Sequence, residues 1–431
     1  MKSGVFWLGL LLAVRTAAGQ ELTLGRALEL ATQGPAVQAA ERAAQESQAK
    51  IGEVAALRLP QVALEAQARG LRKDPGFLVP RGAFGNPIPL ALVTGEREIQ
   101  TGRLTVSQLL WDWRRTGLAV AAAEAQAQAY ESQREAVRLQ VAKATVEAFA
   151  RAWEAQGDLV ACQQAKAAAT ETLRVVQAMV AQGLLPKSDQ LAAEFVVARR
   201  EAELAAAEAA LAGALAVLRE LTGVEVSSVV LEAERLEKAS AKVQGTVRRP
   251  ELQALRLQKD ALANAAQASR RESWPLLVAV GGVEHVRDRF YLHQTNSFAA
   301  VVLKAQLFDG GQAASRSKAL RLQAEATSFQ LEATSRAVER EISVAEAKEM
   351  AAQKALSAAV QAAAFAEEEV RLESLRHAQG LATTRDLLSA QEHLAQARAA
   401  IAKAQAAWLS ALGEKAAAYG EDFLRVFGGE V

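Results

Sequence analysis

The chain has 431 residues, 51% of them hydrophobic, 23% charged and only 5% aromatic, with a formal net charge of +1. A near-neutral balance excludes a chain steered to nucleic acid by its charge. Alanine supplies much of the apolar count, a composition that suits long packed helices better than a bulky globular core. One cysteine, Cys162, cannot form an internal disulfide.

The first residues read as an export signal. Lys2 supplies the positive start, Val5 to Val14 is a short apolar run, and Thr16-Ala17-Ala18-Gly19 offers small residues for cleavage. Residues 1–19 are assigned to this signal peptide. No cysteine follows it to carry a lipid, and no later segment holds 18 uninterrupted apolar residues.

A helix is expected from about Arg26 to Arg58, interrupted at Gly34-Pro35. After Pro60 the period changes. In Gln61 to Arg69 the even positions are apolar and most odd ones polar, the mark of a strand with two different faces. Pro75, Pro80, Pro87 and Pro89 then mark a loop. A second strand is expected over 98–110. A helical period runs from about 113 to 181, about 105 Å at 1.5 Å per residue. Gly183-Leu184-Leu185-Pro186 breaks it, and a return helix covers Ser188 to Leu221.

The chain then repeats this plan. Ala181-Gln182-Gly183-Leu184 recurs as Ala378-Gln379-Gly380-Leu381, Asp189 as Asp386, and Asp112 as Asp309, each 197 residues on. Pro35 and Pro60 recur as Pro250 and Pro275 at an offset of 215. This is a duplicated architecture rather than a short-period solenoid. The second copy should hold a helix over 251–273, strands over 276–283 and 298–308, a long helix over 312–378 and a return helix from Thr384. The expected divisions are a first repeat at 20–222, a linker at 223–247, a second repeat at 248–412 and a tail at 413–431.

Four two-faced strands cannot stand alone in lipid, because an open sheet leaves unpaired backbone groups at its edges. Small barrels need about eight strands, so several chains would share one. The competing reading is a periplasmic structural coiled-coil protein without a pore. It leaves the signal peptide and the twofold strand–loop–strand pattern unexplained.

Several motifs resemble those of the bacterial outer-membrane efflux proteins, the TolC-like channels. They are Leu24-Gly25-Arg26-Ala27-Leu28-Glu29-Leu30-Ala31, Leu59-Pro60-Gln61-Val62, the two Gly-Leu turns, Arg248-Arg249-Pro250-Glu251-Leu252 and Leu307-Phe308-Asp309-Gly310-Gly311. The resemblance covers nearly all of the mature chain. It implies a homotrimer whose twelve-stranded outer-membrane barrel continues as a periplasmic α-helical tunnel. It also implies a passive exit duct for tripartite efflux or type I secretion, reached through a periplasmic adaptor protein and driven by an inner-membrane transporter. The turns at Gly183, Leu184, Gly380 and Leu381 would dock the adaptor.

Asp386 would then line the narrow periplasmic aperture as an acidic ring; a second aspartate that often follows in such channels is Ser389 here. Asp386 can equally be a helix-start residue, favoured there by the macrodipole; Asp189 has the same two readings, but after Pro186 and Ser188 it looks more like an ordinary helix start. His377, three residues before Gly380, is either a gate contact or a solvated helix-end histidine. Glu65, Gln67 and Arg69 would face a water-filled lumen, since polar groups are costly in lipid. Asp112 and Asp309 read as helix caps. Trp111, Trp113, Trp274 and Tyr291 could sit at the membrane interface. No metal-ligand spacing, phosphate loop or nucleophile elbow is present, so neither enzyme activity nor a cofactor is expected.

Overall fold

The computed structural model describes residues 20–231, 233–243 and 247–428; the expected signal peptide lies outside them. In chain order the elements are β1 (Gln20–Thr23), α1 (Leu24–Thr32), α2 (Pro35–Ala55), β2 (Gln61–Gly70), β3 (Gly76–Val79), β4 (Leu90–Val93), β5 (Glu98–Trp111), α3 (Arg115–Ala181) and α4 (Lys187–Thr222). There follow β6 (Val226–Val230), α5 (Ala233–Lys242), α6 (Pro250–Arg270), β7 (Leu276–Arg287), β8 (Thr295–Lys304), α7 (Gln312–Ala378), α8 (Thr384–Tyr419) and α9 (Phe423–Phe427). The fold is mainly helical with a small strand part. Helix lengths recur along the chain: α3 and α7 have 67 residues each, and α4 and α8 have 36 each.

By their contacts the residues form two compact units. One comprises Met1–Glu41, Gln133–Glu251 and Ala333–Val431, so far as these are described. Its core joins Leu28 of α1, Phe149 of α3, Leu218 of α4, Leu236 of α5, Leu409 and Leu412 of α8, and Phe423 of α9. β1 and β6 pair in parallel beside it. Gln156 of α3 exchanges two hydrogen bonds with the backbone of Val229, at 3.0 and 3.2 Å, and so satisfies the open side of β6.

Two boundaries are corrected here. Residues 223–247, read as a linker, contain β6 and α5, whose Leu236 and Ala239 are buried. Residues from Gly413, read as a tail, continue α8 to Tyr419 and then form α9. Gly413 is not a breaker. A Cβ there would lie 2.8 Å from Cγ1 of Val146, so its lack of a side chain lets α3 approach α8. Arg249 donates to the carbonyls of Ala417 and Ala418 and satisfies the end of α8.

The other unit comprises Arg42–Ser132 and Leu252–Glu332. Its centre is a four-stranded antiparallel sheet in the order β2-β5-β7-β8. β7 runs four residues past the expected strand, to Arg287, while β8 stops at Lys304 rather than 308. Lys304 faces Leu276, and Pro275 just before it has no N–H to continue the ladder. The proline-rich segment is not all loop, since β3 and β4 pair there as a short hairpin. α3 begins at Arg115 because Trp113 and Arg114 hold positive φ, 57° and 63°. The aspartates of both strand-to-helix junctions act as caps. Asp112 accepts the Thr116 N–H at 2.6 Å, and Asp309 accepts those of Gly311 and Ala313 at 2.8 and 3.0 Å.

Candidate functional site

Strand alternation gives the sheet two unlike faces. One carries Glu65, Gln67 and Arg69 of β2. Glu65 stands opposite Arg103 of β5, which stands opposite Glu284 of β7 and bonds it at 2.6 Å. The other face carries rows such as Val62–Val106 and Leu64–Leu104–Val283, with Val301 and Leu303 on β8. These apolar side chains are exposed, Leu64 by 78%. Among the described residues, neither edge strand, β2 or β8, has a neighbour on its outer side. Among the described residues no helix is long and apolar enough to cross a membrane. Three indoles stack edge-on near one end of the strands, Trp111 on Trp113 and Trp113 on Trp274, each pair 5.9 Å apart. Arg271 lies 5.7 Å from the Trp274 ring.

The second set of expected residues lies where α3 turns into α4 and α7 into α8. Both turns are built alike. Gly183 donates to Val180 O and Leu184 to Met179 O, at 3.0 and 2.9 Å; Gly380 donates to His377 O and Leu381 to Arg376 O, at 3.0 and 2.8 Å. These paired bonds need a left-handed residue, and both glycines have φ 73°. The leucine after such a turn often packs back on its helix. Here Leu184 and Leu381 are each 67% exposed.

The helices that follow start differently, and the difference organises the site. At α8, Thr383 and Asp386 form a capping box. The Asp386 carboxylate accepts the Thr383 N–H at 2.9 Å and its hydroxyl at 2.7 Å, while Thr383 accepts the Asp386 N–H at 3.2 Å. The bond from the Thr383 hydroxyl, first, holds the Asp386 carboxyl below its ordinary value, joined by the bond from the Thr383 backbone. At α4 the cap position is Pro186. It has no N–H to give, so Asp189 cannot close a capping box and its carboxylate turns elsewhere.

It accepts a hydrogen bond from the Thr384 hydroxyl of the other turn at 3.3 Å. Because a carboxylate only accepts, the single hydroxyl proton of Thr384 is used there. Thr384 therefore accepts from Nε2–H of His377, 3.3 Å away. The relay His377–Thr384–Asp189 ties one helix pair to the other. Thr384 is 3% exposed and His377 8%. The expectation of a solvated His377 is thus corrected: the ring is buried because it faces Thr384. Asp386 is exposed, and among the described residues it bonds within its own cap. Sequence reasoning gave Thr384 no role beyond starting the return helix. The one clue was Pro186, whose missing N–H frees Asp189.

A family model for outer membrane efflux proteins matches residues 27–224 and 244–421. The chain belongs to the outer membrane efflux protein family. Comparison with curated proteins gives no sequence match. Among solved structures the chain is similar to the outer membrane protein VceC of Vibrio cholerae, with 20% identity over 93% of this chain and 96% of that one and a TM-score of 0.75. It is similar to the CmeC outer membrane channel of Campylobacter jejuni, at 16% identity over 92% and 85% with a TM-score of 0.73. It also resembles the MtrE outer membrane channel of Neisseria gonorrhoeae, at 17% over 92% and 89% with a TM-score of 0.71. At such identities the structures speak for the fold, that of TolC-like channels with a β-barrel and a helical barrel. The family places the protein in the outer membrane as an efflux protein, and the fold is that of a channel. Family and fold are those of channels, not of enzymes. A pore-free periplasmic rod does not fit them.

Proposed function

We propose that three copies share one twelve-stranded barrel, each giving the four strands β2, β5, β7 and β8. The observation that carries this reading is a sheet with two open edges and one exposed apolar face. In hydrocarbon each unpaired backbone group costs several kcal/mol, and joining β8 of one copy to β2 of the next leaves no edge. The apolar face, with Val62 and Leu64, then meets lipid. Glu65, Gln67 and Arg69 face the water-filled lumen beside Arg103.

The conduit is passive, and energy enters from an inner-membrane transporter through a periplasmic adaptor. The Gly183–Leu184 and Gly380–Leu381 turns are the docking points. Their leucines are exposed where a turn of this kind commonly buries them. The aperture lies at the helix starts that follow, with Asp386 as its acidic group and Asp189 and His377 in the relay beside it. Two substrate classes fit such a duct, small molecules and secreted polypeptides, and the choice rests with the partners.

Light scattering of the purified protein in detergent tests the shared barrel: a mass of three chains is expected, and a stable monomer extracted from the outer membrane refutes it. For docking, Leu184→Ser with Leu381→Ser should abolish capture by the adaptor while the trimer persists. Undiminished capture would place docking elsewhere.

A further inference from the structure

The end of the sheet at which β2 stops and β8 begins carries two apolar patches that nothing among the described residues covers. The first is the β3–β4 hairpin. Phe77 pairs with Leu92 and Leu78 with Ala91, so Phe77 and Leu78 point to opposite faces. Both are exposed, Leu78 by 66%. The second is the turn between β7 and β8, where Phe290, Tyr291 and Leu292 are exposed, Leu292 by 89%. The hairpin is nonetheless held. The buried Asp288 accepts the Glu96 N–H at 3.3 Å, Arg97 grips Asp74 at 2.7 and 2.9 Å, and Thr94 donates to the Pro75 carbonyl at 2.8 Å. A two-stranded hairpin of four-residue strands, apolar on both faces, is not stable in water by itself. Contiguous exposed apolar surface of this kind marks an interaction site.

The two patches lie at the same end of the sheet. Gly70 ends β2 opposite Glu98, Arg287 ends β7 opposite Gln100, and Thr295 opens β8 opposite His285. The hairpin joins edge strand β2 to β5 and the apolar turn joins β7 to edge strand β8, so the two touch at Glu96 and Asp288 within one copy while each also adjoins one edge of the sheet. A head-to-tail ring joins the β8 edge of one copy to the β2 edge of the next. The same operation carries the Phe290–Leu292 turn of one copy towards the Phe77–Leu78 hairpin of its neighbour.

We propose that these patches are two halves of one copy-to-copy interface, an apolar seam that extends each strand junction beyond the barrel rim. The occupant of each patch is a second copy of this chain. The inference rests on the shared-barrel reading and adds to it a contact outside the strands. The seam clamps each hairpin to its neighbour, so the outer ends of the ring are locked even where backbone pairing has stopped.

The test is crosslinking in the full-length protein with Cys162→Ala, so that no native thiol competes. Three forms are compared: Leu78→Cys alone, Leu292→Cys alone, and both together. Each is treated in detergent with a short bis-maleimide and run on a denaturing gel, and each is weighed by light scattering. The seam predicts that the doubly substituted chain converts mostly to covalently joined two- and three-chain species. Neither single form should do so, while a mixed trimer of the two single forms should give two-chain products. A three-chain mass without these links overturns the seam and leaves the shared barrel standing, with lipid as the occupant of the patches. Links from Leu78→Cys alone also overturn it, because the hairpins would then meet one another. A monomer mass overturns the shared barrel, and the seam with it.

Discussion

Replacing Thr384 by valine keeps the shape of the side chain and removes the hydroxyl through which His377 and Asp189 are joined. Both bonds of the relay measure 3.3 Å, at the long end of the useful range, so each contributes at the low end of about 0.5–1.5 kcal/mol. The larger effect is what is left behind. His377 is buried, and its Nε2–H would lose its one hydrogen-bond partner among the described residues, at about 1–3 kcal/mol for an unmet buried donor. Asp189 is half-buried and can regain water, so it adds little. The sum is about 2 kcal/mol, or roughly 30-fold in the equilibrium between joined and parted helix pairs. In planar bilayers the open probability of Thr384→Val should rise by about that factor, with hydrogen exchange accelerated over 384–390. Ser389→Ala, on the exposed side of the same helix, should change neither. A Thr384→Val trimer of normal mass with unaltered open probability and exchange would refute the argument that the relay holds the helix pairs together.

Three further outcomes are expected. The folded-state pKa of Asp386 is depressed, so its contribution to the start of α8 is present above the ordinary value of 3.8 and is lost as pH falls through the lower folded value; a titration of carbon-13-labelled aspartate should place its midpoint below 3.8, and a midpoint at or above it would show that the capping box is not formed. Ala in place of Gly183 or Gly380 meets no atom within 4 Å and suffers only the positive φ, so each should cost about 1–2 kcal/mol and quicken proteolysis at its own turn, whereas unchanged cleavage would mean the turn is not left-handed. Leu64→Arg should lose up to about 2–4 kcal/mol on a lipid-facing strand position and deplete the trimer in outer-membrane fractions, while Gln67→Arg should not; equal losses would reverse the assignment of the two faces.

How much was legible can be judged element by element. The long helix over 312–378 and the strand beginning at Gln61 are where the periodicity places them, because a helix repeats every 3.6 residues and a strand every two whatever surrounds them. The Gly183 and Gly380 turns were equally plain, since only glycine takes φ near 70° without strain. Gly413 misled because glycine has two physical uses. It breaks helices, and it admits a neighbour, here Val146, to close range. α5 was missed because it is short, 10 residues, and mostly polar, so Leu236 and Ala239 were not seen to face the core.

The sequence by itself determined the duplicated plan, the two-faced strands and the family, all of which depend on residues near one another along the chain. Tertiary structure alone decided which side chains meet. Asp189, Thr384 and His377 are brought together by two turns nearly 200 residues apart. His377 reads as a solvated end in the chain but is buried in the fold. The hairpin and the Phe290–Leu292 turn each adjoin one edge of the same sheet only because β5 lies between β2 and β7. Local patterns fix backbone state because they depend on dihedral preference and on the period of burial. The meeting of distant side chains depends on strand order and helix packing, and no local pattern encodes these.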